Sequence, residues 1–311
     1  MLIEQAFFHL PEILHGSGYS LQEYEAGIVG ALSLSVLQVL NGRNATNPIS
    51  YLHHEKLYRD KGIYPGSSNP RYLRADLRVK ANGLKTGNSR LAQYGWRHYN
   101  WLEAKFLRGQ SASGTKHSGN KPAHAASFIA DLLRLSILVP EKGNLSSNGR
   151  YFLHVYDSDP TWYLTYRKRP WMRLLCQAGR QTITLKNLDQ EPQTVTRLLG
   201  SFPGLELELN IVNYTIDPLD PSMTSCFWMY LTRIDKIKAS LNGSQFEVLS
   251  NREIRLTSST ALDEISKFVA ESINIKPASS DTLPATDDEI GASDDGDGDD
   301  DTTQLTAEKA Q

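Results

Sequence analysis

The fold turns on two segments: Arg71–Val79, RYLRADLRV, and Tyr99–Leu107, YNWLEAKFL. In the first, Leu73, Ala75, Leu77 and Val79 alternate with Arg74, Asp76 and Arg78. In the second, Leu102, Ala104 and Phe106 alternate with Trp101, Glu103, Lys105 and Leu107. Side chains along a strand point to opposite faces in turn, so this period of two predicts strands over 71–80 and 99–107. Each strand has an apolar side for a core and a charged side for a cleft. If the two strands pair, Asp76, Glu103 and Lys105 project from one face.

The neighbouring segments read as helices and one central strand. Leu21–Leu40 predicts a long helix, with Ser20 as N-cap and Glu23 three residues on. It is apolar nearly all round past Ala26, which predicts burial. Ala123–Val139 predicts a second helix, with Phe128, Leu132 and Leu135 on one stripe and Ile129 and Leu133 beside it. Tyr151–Tyr156, YFLHVY, is a short apolar run suited to a central strand. The order is helix, strand, strand, helix, strand, and the fold class is α/β with a mixed central sheet flanked by helices.

Beyond Pro160 the pattern turns β-rich: Thr182–Leu185, Leu205–Tyr214, Cys226–Ile237 and Phe246–Leu249 read as strands. Short helices are expected near Pro170–Cys176 and Val195–Gly200. This gives a core over 1–158, a β-rich region over 159–276 that either extends the sheet or forms a small domain, and a tail over 277–311. The tail, rich in Asp, Ser and Thr, buries too little apolar surface to offset its ordering entropy and is expected to be disordered. Ser111–Lys121, Pro65–Pro70 and Lys142–Asn148 read as loops.

Charge divides along the same line. Of 35 acidic and 33 basic residues, eleven and one fall from Pro277 onward, which leaves 24 and 32 in the body. A basic body fits an anionic partner such as nucleic acid, and a solvated mixed surface is the alternative. The acidic tail serves solubility or competes for the basic face. With no apolar run of 18 residues, no membrane span is expected. The start, MLIEQAFFHLPEILHG, lacks a basic n-region and a cleavage site, so it reads as structure and not as a signal peptide. Two cysteines, Cys176 and Cys226, fit a reducing cytoplasm better than a disulfide framework.

The charged faces have a chemical use. Two carboxylates a few ångströms apart repel unless a cation sits between them. Mg²⁺ takes oxygen ligands and keeps several waters, so two carboxylates and a main-chain carbonyl suffice to hold it. A lysine two residues past the glutamate shares its face and can orient a water or stabilise charge on a phosphate. The plain alternative is an exposed strand face carrying a Glu–Lys ion pair.

With an Asp on one strand, E-A-K at Glu103–Lys105 on the next, a helix before and a helix and strand after, the chain resembles the PD-(D/E)xK, or restriction-endonuclease-like, nuclease superfamily over roughly residues 20–157. The resemblance implies a Mg²⁺-dependent nuclease, with Mn²⁺ able to substitute, acting on phosphodiester bonds of nucleic acid, DNA first, with restriction or anti-phage defence as a role. It implies that Asp76, Glu103, the carbonyl of Ala104 and a glutamate of the first helix hold the metal, and that Lys105 is the catalytic lysine. Glu25, at the edge of the buried helix face, fits that glutamate better than Glu23. Ala75 stands where the motif's name has proline, and the Gln-x-x-x-Tyr element of the RecB-like branch is not evident after Lys105. The alternative is a non-catalytic DNA-binding subunit of the same fold within a larger complex. A homodimer or partner subunit is expected if both strands of a duplex are cut.

Further basic residues are candidates for nucleic-acid contact. Arg74, Arg78 and Arg97 flank the predicted cleft, and Arg108 follows the second strand. In YLTYRKRPWMR, Arg167, Lys168, Arg169 and Arg173 interleave with Tyr166 and Trp171. Such a mixture holds phosphates and stacks on bases, or else forms a basic turn that caps a helix. The histidines His53, His54, His98, His117 and His124 show no metal-ligand spacing, and there is no Walker loop or GxSxG elbow.

Overall fold

The computed structural model describes residues 2–16, 25–58, 74–81, 84, 97–107, 121–139, 148–164, 168–192, 195, 204–219, 226–241, 244–248 and 254–256. Residues 1–275 form one compact unit. The expected tail from Pro277 lies outside the described residues, as do Ser20, Glu23 and the three expected loops except at their edges.

The fold is mixed α/β. Strands β1 (Leu52–Leu57), β2 (Arg74–Lys80), β3 (Tyr99–Leu107), β4 (Asn148–Tyr156), β5 (Gly179–Leu185), β6 (Leu205–Ile216) and β7 (Trp228–Leu241) form one sheet in the order β1-β2-β3-β4-β7-β6-β5. Only β3 and β4 run parallel; the other neighbouring pairs along this path are antiparallel. β8 (Ser244–Val248) pairs with β7, and β9 (Ile254–Leu256) pairs with β8. The β-rich half therefore continues the sheet begun by β1–β4.

Helices α1 (Leu2–Gly16) and α2 (Glu25–Gly42) pack on one face. Leu2, Ile3, Phe7, Leu10 and Leu14 of α1 meet Ile28, Leu32, Val36 and Leu40 of α2 in a cluster that also holds Leu77, Val79, Leu102, Ala104, Leu153 and Val155. The buried hydroxyls of Ser33 and Ser35 donate back to the carbonyls of Val29 (2.8 Å) and Ala31 (3.1 Å), which satisfies them inside an apolar helix. By length and hydropathy α2 is also long and apolar enough to cross a membrane, although Ile28, Val29, Leu32 and Val36 are buried in this core. Glu4 of α1 accepts hydrogen bonds from Arg233 (2.8 Å) and from the Tyr151 hydroxyl (3.2 Å), tying the first helix to β4 and β7.

Helix α3 (Lys121–Leu133) covers the other face and ends in a π-helical turn, Arg134–Leu138. Phe128, Ile129, Leu132 and Leu135 pack there with Trp101, Phe152, Tyr156 and the inward residues of β5–β7. The short helix α4 (Thr161–Leu164) and a 3₁₀ turn, Pro170–Cys176, close this layer through Tyr163, Met172 and Leu175. Cys176 and Cys226 are not joined in a disulfide.

Candidate active site

The site forms where β2 parts from β3. Their ladder runs from Leu77 opposite Leu102 to Lys80 opposite Tyr99. One residue before Leu77 on β2, the Asp76 carboxylate accepts the Ala104 N–H at 2.6 Å. A side chain thus takes the place of a backbone acceptor, and the ends of the two strands are held together through it. β3 meanwhile stays paired with β4 as far as Leu107 opposite Tyr156, so Glu103 and Lys105 sit on a fixed strand.

Lys105 gathers groups from both faces of the sheet. Its ammonium donates to Glu25 Oε1 (3.1 Å) and Oε2 (3.2 Å) at the start of α2, and to the Ala104 carbonyl (3.0 Å). It also lies 3.1 Å from Asp131 Oδ2 on α3. Asp131 Oδ1 takes the Arg134 guanidinium at 3.0 Å, and the same guanidinium nitrogen is 3.6 Å from Glu103 Oε2. The other Glu103 oxygen accepts the Tyr58 hydroxyl at 2.5 Å. Glu103 is 1 % exposed and Asp131 also 1 %, so these are interior charges and not a solvated face.

Among the described residues, four carboxylates thus face two cations, and the shifts of the titrating groups follow that imbalance. Burial pushes Asp76 up to about 7, against the restraint of the Ala104 N–H and Lys105, while Glu25 and Asp131 push the same way as burial. Burial pushes Asp131 up to about 6, with Lys105 and Arg134 holding it back. Glu103 is raised well above the usual carboxylate range by burial, then by Asp131 and Asp76. For Lys105, burial favours the neutral amine, but Asp131, Glu25 and Asp76 together outweigh it and hold the ammonium above its ordinary range. Such a region of excess negative potential favours cations.

Carboxylates and a main-chain carbonyl are ligands for a hard divalent ion. As the side chains stand, no three Asp, Glu, His or Cys groups among the described residues converge on one point. The place where Glu25, Asp131 and the Ala104 carbonyl meet is held by the Lys105 ammonium, itself a cation. The donor set and local charge fit Mg²⁺, provided Lys105 swings aside.

Asp76, Glu103, Ala104, Lys105 and Glu25, all expected from sequence, thus belong to one neighbourhood. Arg74 is exposed at the start of β2. Arg78 is half-buried, its guanidinium 5.4 Å from the Trp101 ring centroid. Arg97 lies against Gly149 and Asn100, one residue out of phase with Arg78 and Trp101, so it does not flank the cleft as expected. Arg108, Arg167 and Tyr166 lie outside the described residues. Lys168 is exposed, whereas Arg169 is ion-paired to Glu191, and Trp171 is buried in the core, where it cannot stack on a base. Those two residues do not form the expected stacking surface: Arg169 is tied to Glu191 and Trp171 packs inside a 3₁₀ turn, Pro170–Cys176. His124 meets the edge of Tyr163 at 5.2 Å between ring centroids.

Tyr58, Asp131 and Arg134 were not expected. A signal for Asp131 existed: it lies three residues after Phe128 and four before Leu135, on the apolar stripe of α3, where an aspartate is costly unless paired. Compared with protein-family models, curated proteins and solved structures, the chain matches none.

Proposed function

We propose that the protein is a Mg²⁺-dependent nuclease with a restriction-endonuclease-like core, cutting phosphodiester bonds of DNA. The observation that carries this reading is the Lys105 ammonium, held between Glu25, Asp131 and the Ala104 carbonyl beside the point where Asp76 reaches β3. The fold assignment rests on the run α2, three antiparallel strands, α3, and β4 parallel to β3.

In this reading Asp76, Glu103 and the Ala104 carbonyl hold the ion, with Glu25 reaching in from α2. Bound there, Mg²⁺ lowers the pKa of a water and offsets charge on the phosphate. Tyr58 and Arg134 fix the Glu103 carboxylate from both sides. Without the ion, Asp131 and Glu25 keep Lys105 charged. Displaced from between them when the ion is bound, its ammonium would donate to the attacking water or to a non-bridging phosphate oxygen, which stabilises charge as it develops.

A second reading is a subunit of the same fold that binds DNA without cutting. One observation favours it: both oxygens of Glu103 are engaged, by Tyr58 and Arg134, within a network of internal ion pairs. Nicking of supercoiled plasmid separates the two. The first reading expects Mg²⁺- or Mn²⁺-dependent nicking that Lys105→Ala and Asp76→Ala each reduce at least roughly 100-fold, the scale of losing one such stabilising group. A folded wild type that binds plasmid with either ion and never nicks it supports the second.

A further inference from the structure

The strand register aligns side chains that the sequence keeps far apart. His53 of β1 stands opposite Arg78 of β2, Arg78 opposite Trp101 of β3, and Trp101 opposite Arg150 of β4. Directly opposed residues share a face. These four therefore form one row across the sheet, and Lys80 opposite Tyr99 begins the next. In the other direction the following row contains Asp76 and Glu103, two residues along each strand and so about 7 Å away. A row with two arginines and a histidine thus borders the acidic pocket on the same face.

Among the described residues, neither His53, Arg78 nor Lys80 meets a carboxylate, and His53 Nε2 and Arg78 Nε, both shielded from solvent, have no hydrogen-bond partner. His53 feels burial first and then the positive charges of Arg78, Lys56 and Lys80, all of which disfavour its cationic form. Arg78 lies over Trp101, whose ring also stacks on Tyr58, 5.4 Å between centroids. The guanidinium is thereby oriented, and its Nε has no acceptor among the described residues. Arg78 and Lys80, cations without acidic partners among the described residues and flanked by the His53 imidazole, match a phosphate-rich ligand.

We infer that the row of His53, Arg78 and Lys80 is a phosphate-binding track that seats the backbone of the polynucleotide on one side of the bond presented to Asp76, Glu103 and Lys105. The ligand class is a phosphodiester chain, contacted through its backbone and therefore without base preference. This rests on the nuclease reading for the identity of the neighbouring pocket, but binding at the track requires no cleavage. The spacing fits such a role, because one pleat row separates track from pocket, a gap that a single nucleotide unit bridges.

The test is fluorescence anisotropy of the full chain with a labelled oligonucleotide, single-stranded and duplex, in EDTA so that nothing is cut. Lys80→Ala is expected to weaken binding roughly fivefold and to lower the slope of log Kd against log salt by about 1, whereas His53→Ala, which removes a neutral imidazole, weakens binding by about twofold to fivefold and leaves the slope unchanged. Arg78→Ala acts in the same direction, and Arg78→Lys retains most of the affinity. Lys238→Ala, on a cation already paired with Glu208 at 2.7 Å, leaves binding unchanged. Because Arg78 packs on Trp101, its alanine variant carries weight only if folded; Lys80 is exposed and its variant does not share that risk. Unchanged affinity and salt slope in folded Lys80→Ala, with unchanged affinity in His53→Ala, overturn the track, even if the wild type nicks plasmid in a Lys105-dependent way. If these variants lose affinity while the wild type never nicks, the track stands and the cleavage reading falls. A wild type that binds no polynucleotide sinks both.

Discussion

Replacing Asp76 with asparagine should make the metal-free protein more stable at pH 8 while abolishing cleavage. The carboxylate is pushed from 3.8 to about 7 by burial, only partly offset by the Ala104 N–H and Lys105. A displacement of that size means that keeping the group ionised in the fold costs about 4 kcal/mol. Asparagine keeps an oxygen for the Ala104 N–H, 2.6 Å away in the wild type, and removes the charge. Its amide gives Lys105 one less anion, but Glu25 and Asp131 remain within 3.1 Å of the ammonium. Partial exposure of Asp76 reduces the gain, so about 2–4 kcal/mol is expected. The sign follows from the raised value. A folded-state pKa above that of the unfolded chain means the destabilisation is full above pH 7 and disappears as pH falls towards 4. Asp76→Asn should therefore exceed the wild type at pH 8 and match it near pH 4. Urea unfolding in EDTA, followed by circular dichroism, measures this directly. Added Mg²⁺ should narrow the gap at pH 8 by stabilising the wild type alone. A variant less stable than the wild type at pH 8, or a difference that is the same at pH 4 and pH 8, would overturn this expectation.

Other substitutions probe the same network and the core beneath it. Arg134→Met removes the cation shared by Asp131 and Glu103 and should cost about 3 kcal/mol at pH 8. That loss should shrink below pH 6, where Asp131 takes up a proton; chemical unfolding at pH 8 and pH 5 compares the two. His154 is fully buried among Phe152, Tyr230 and Phe128, with Nδ1 facing the Tyr156 hydroxyl and no partner at Nε2 among the described residues. Burial pushes it down to about 3, so the wild type loses stability as pH falls from 6.5 towards 3. His154→Phe should raise stability at pH 4 by about 3 kcal/mol and change it little at pH 8, read from thermal or urea unfolding.

Much of the architecture was legible because the physics behind it is periodic. Tyr99–Leu107 is a strand with the bounds its alternation indicates, and the strands beyond Pro160 fall where the runs of branched and aromatic residues lie. β1 was not expected. Its sequence, LHHEKL, has no alternation to read, and Glu55 sits at φ 49°, which interrupts the ladder to β2 between His54 and Lys56. The type of the first element was also hidden, since Pro11 lies inside α1 and removes one helical hydrogen bond. Among the site residues, Asp76, Glu103 and Lys105 declared themselves through their faces on two strands. Tyr58 and Arg134 could not be found that way, because their roles depend on where β1 ends and on how a π-helical turn aims a guanidinium. Pattern reading also overvalued YLTYRKRPWMR: a run of cations and aromatics looks the same whether its tryptophan is exposed or, as here, buried.

The proposed function stands or falls on whether Asp76, Glu103 and the Ala104 carbonyl accept a divalent ion in exchange for the Lys105 ammonium. Anomalous diffraction from crystals grown with Mn²⁺ answers this. One peak is predicted in contact with both carboxylates and the carbonyl, with Lys105 turned out from between Glu25 and Asp131. Saturating Mn²⁺ with no peak there, and Lys105 still bound to Glu25 and Asp131, would contradict it.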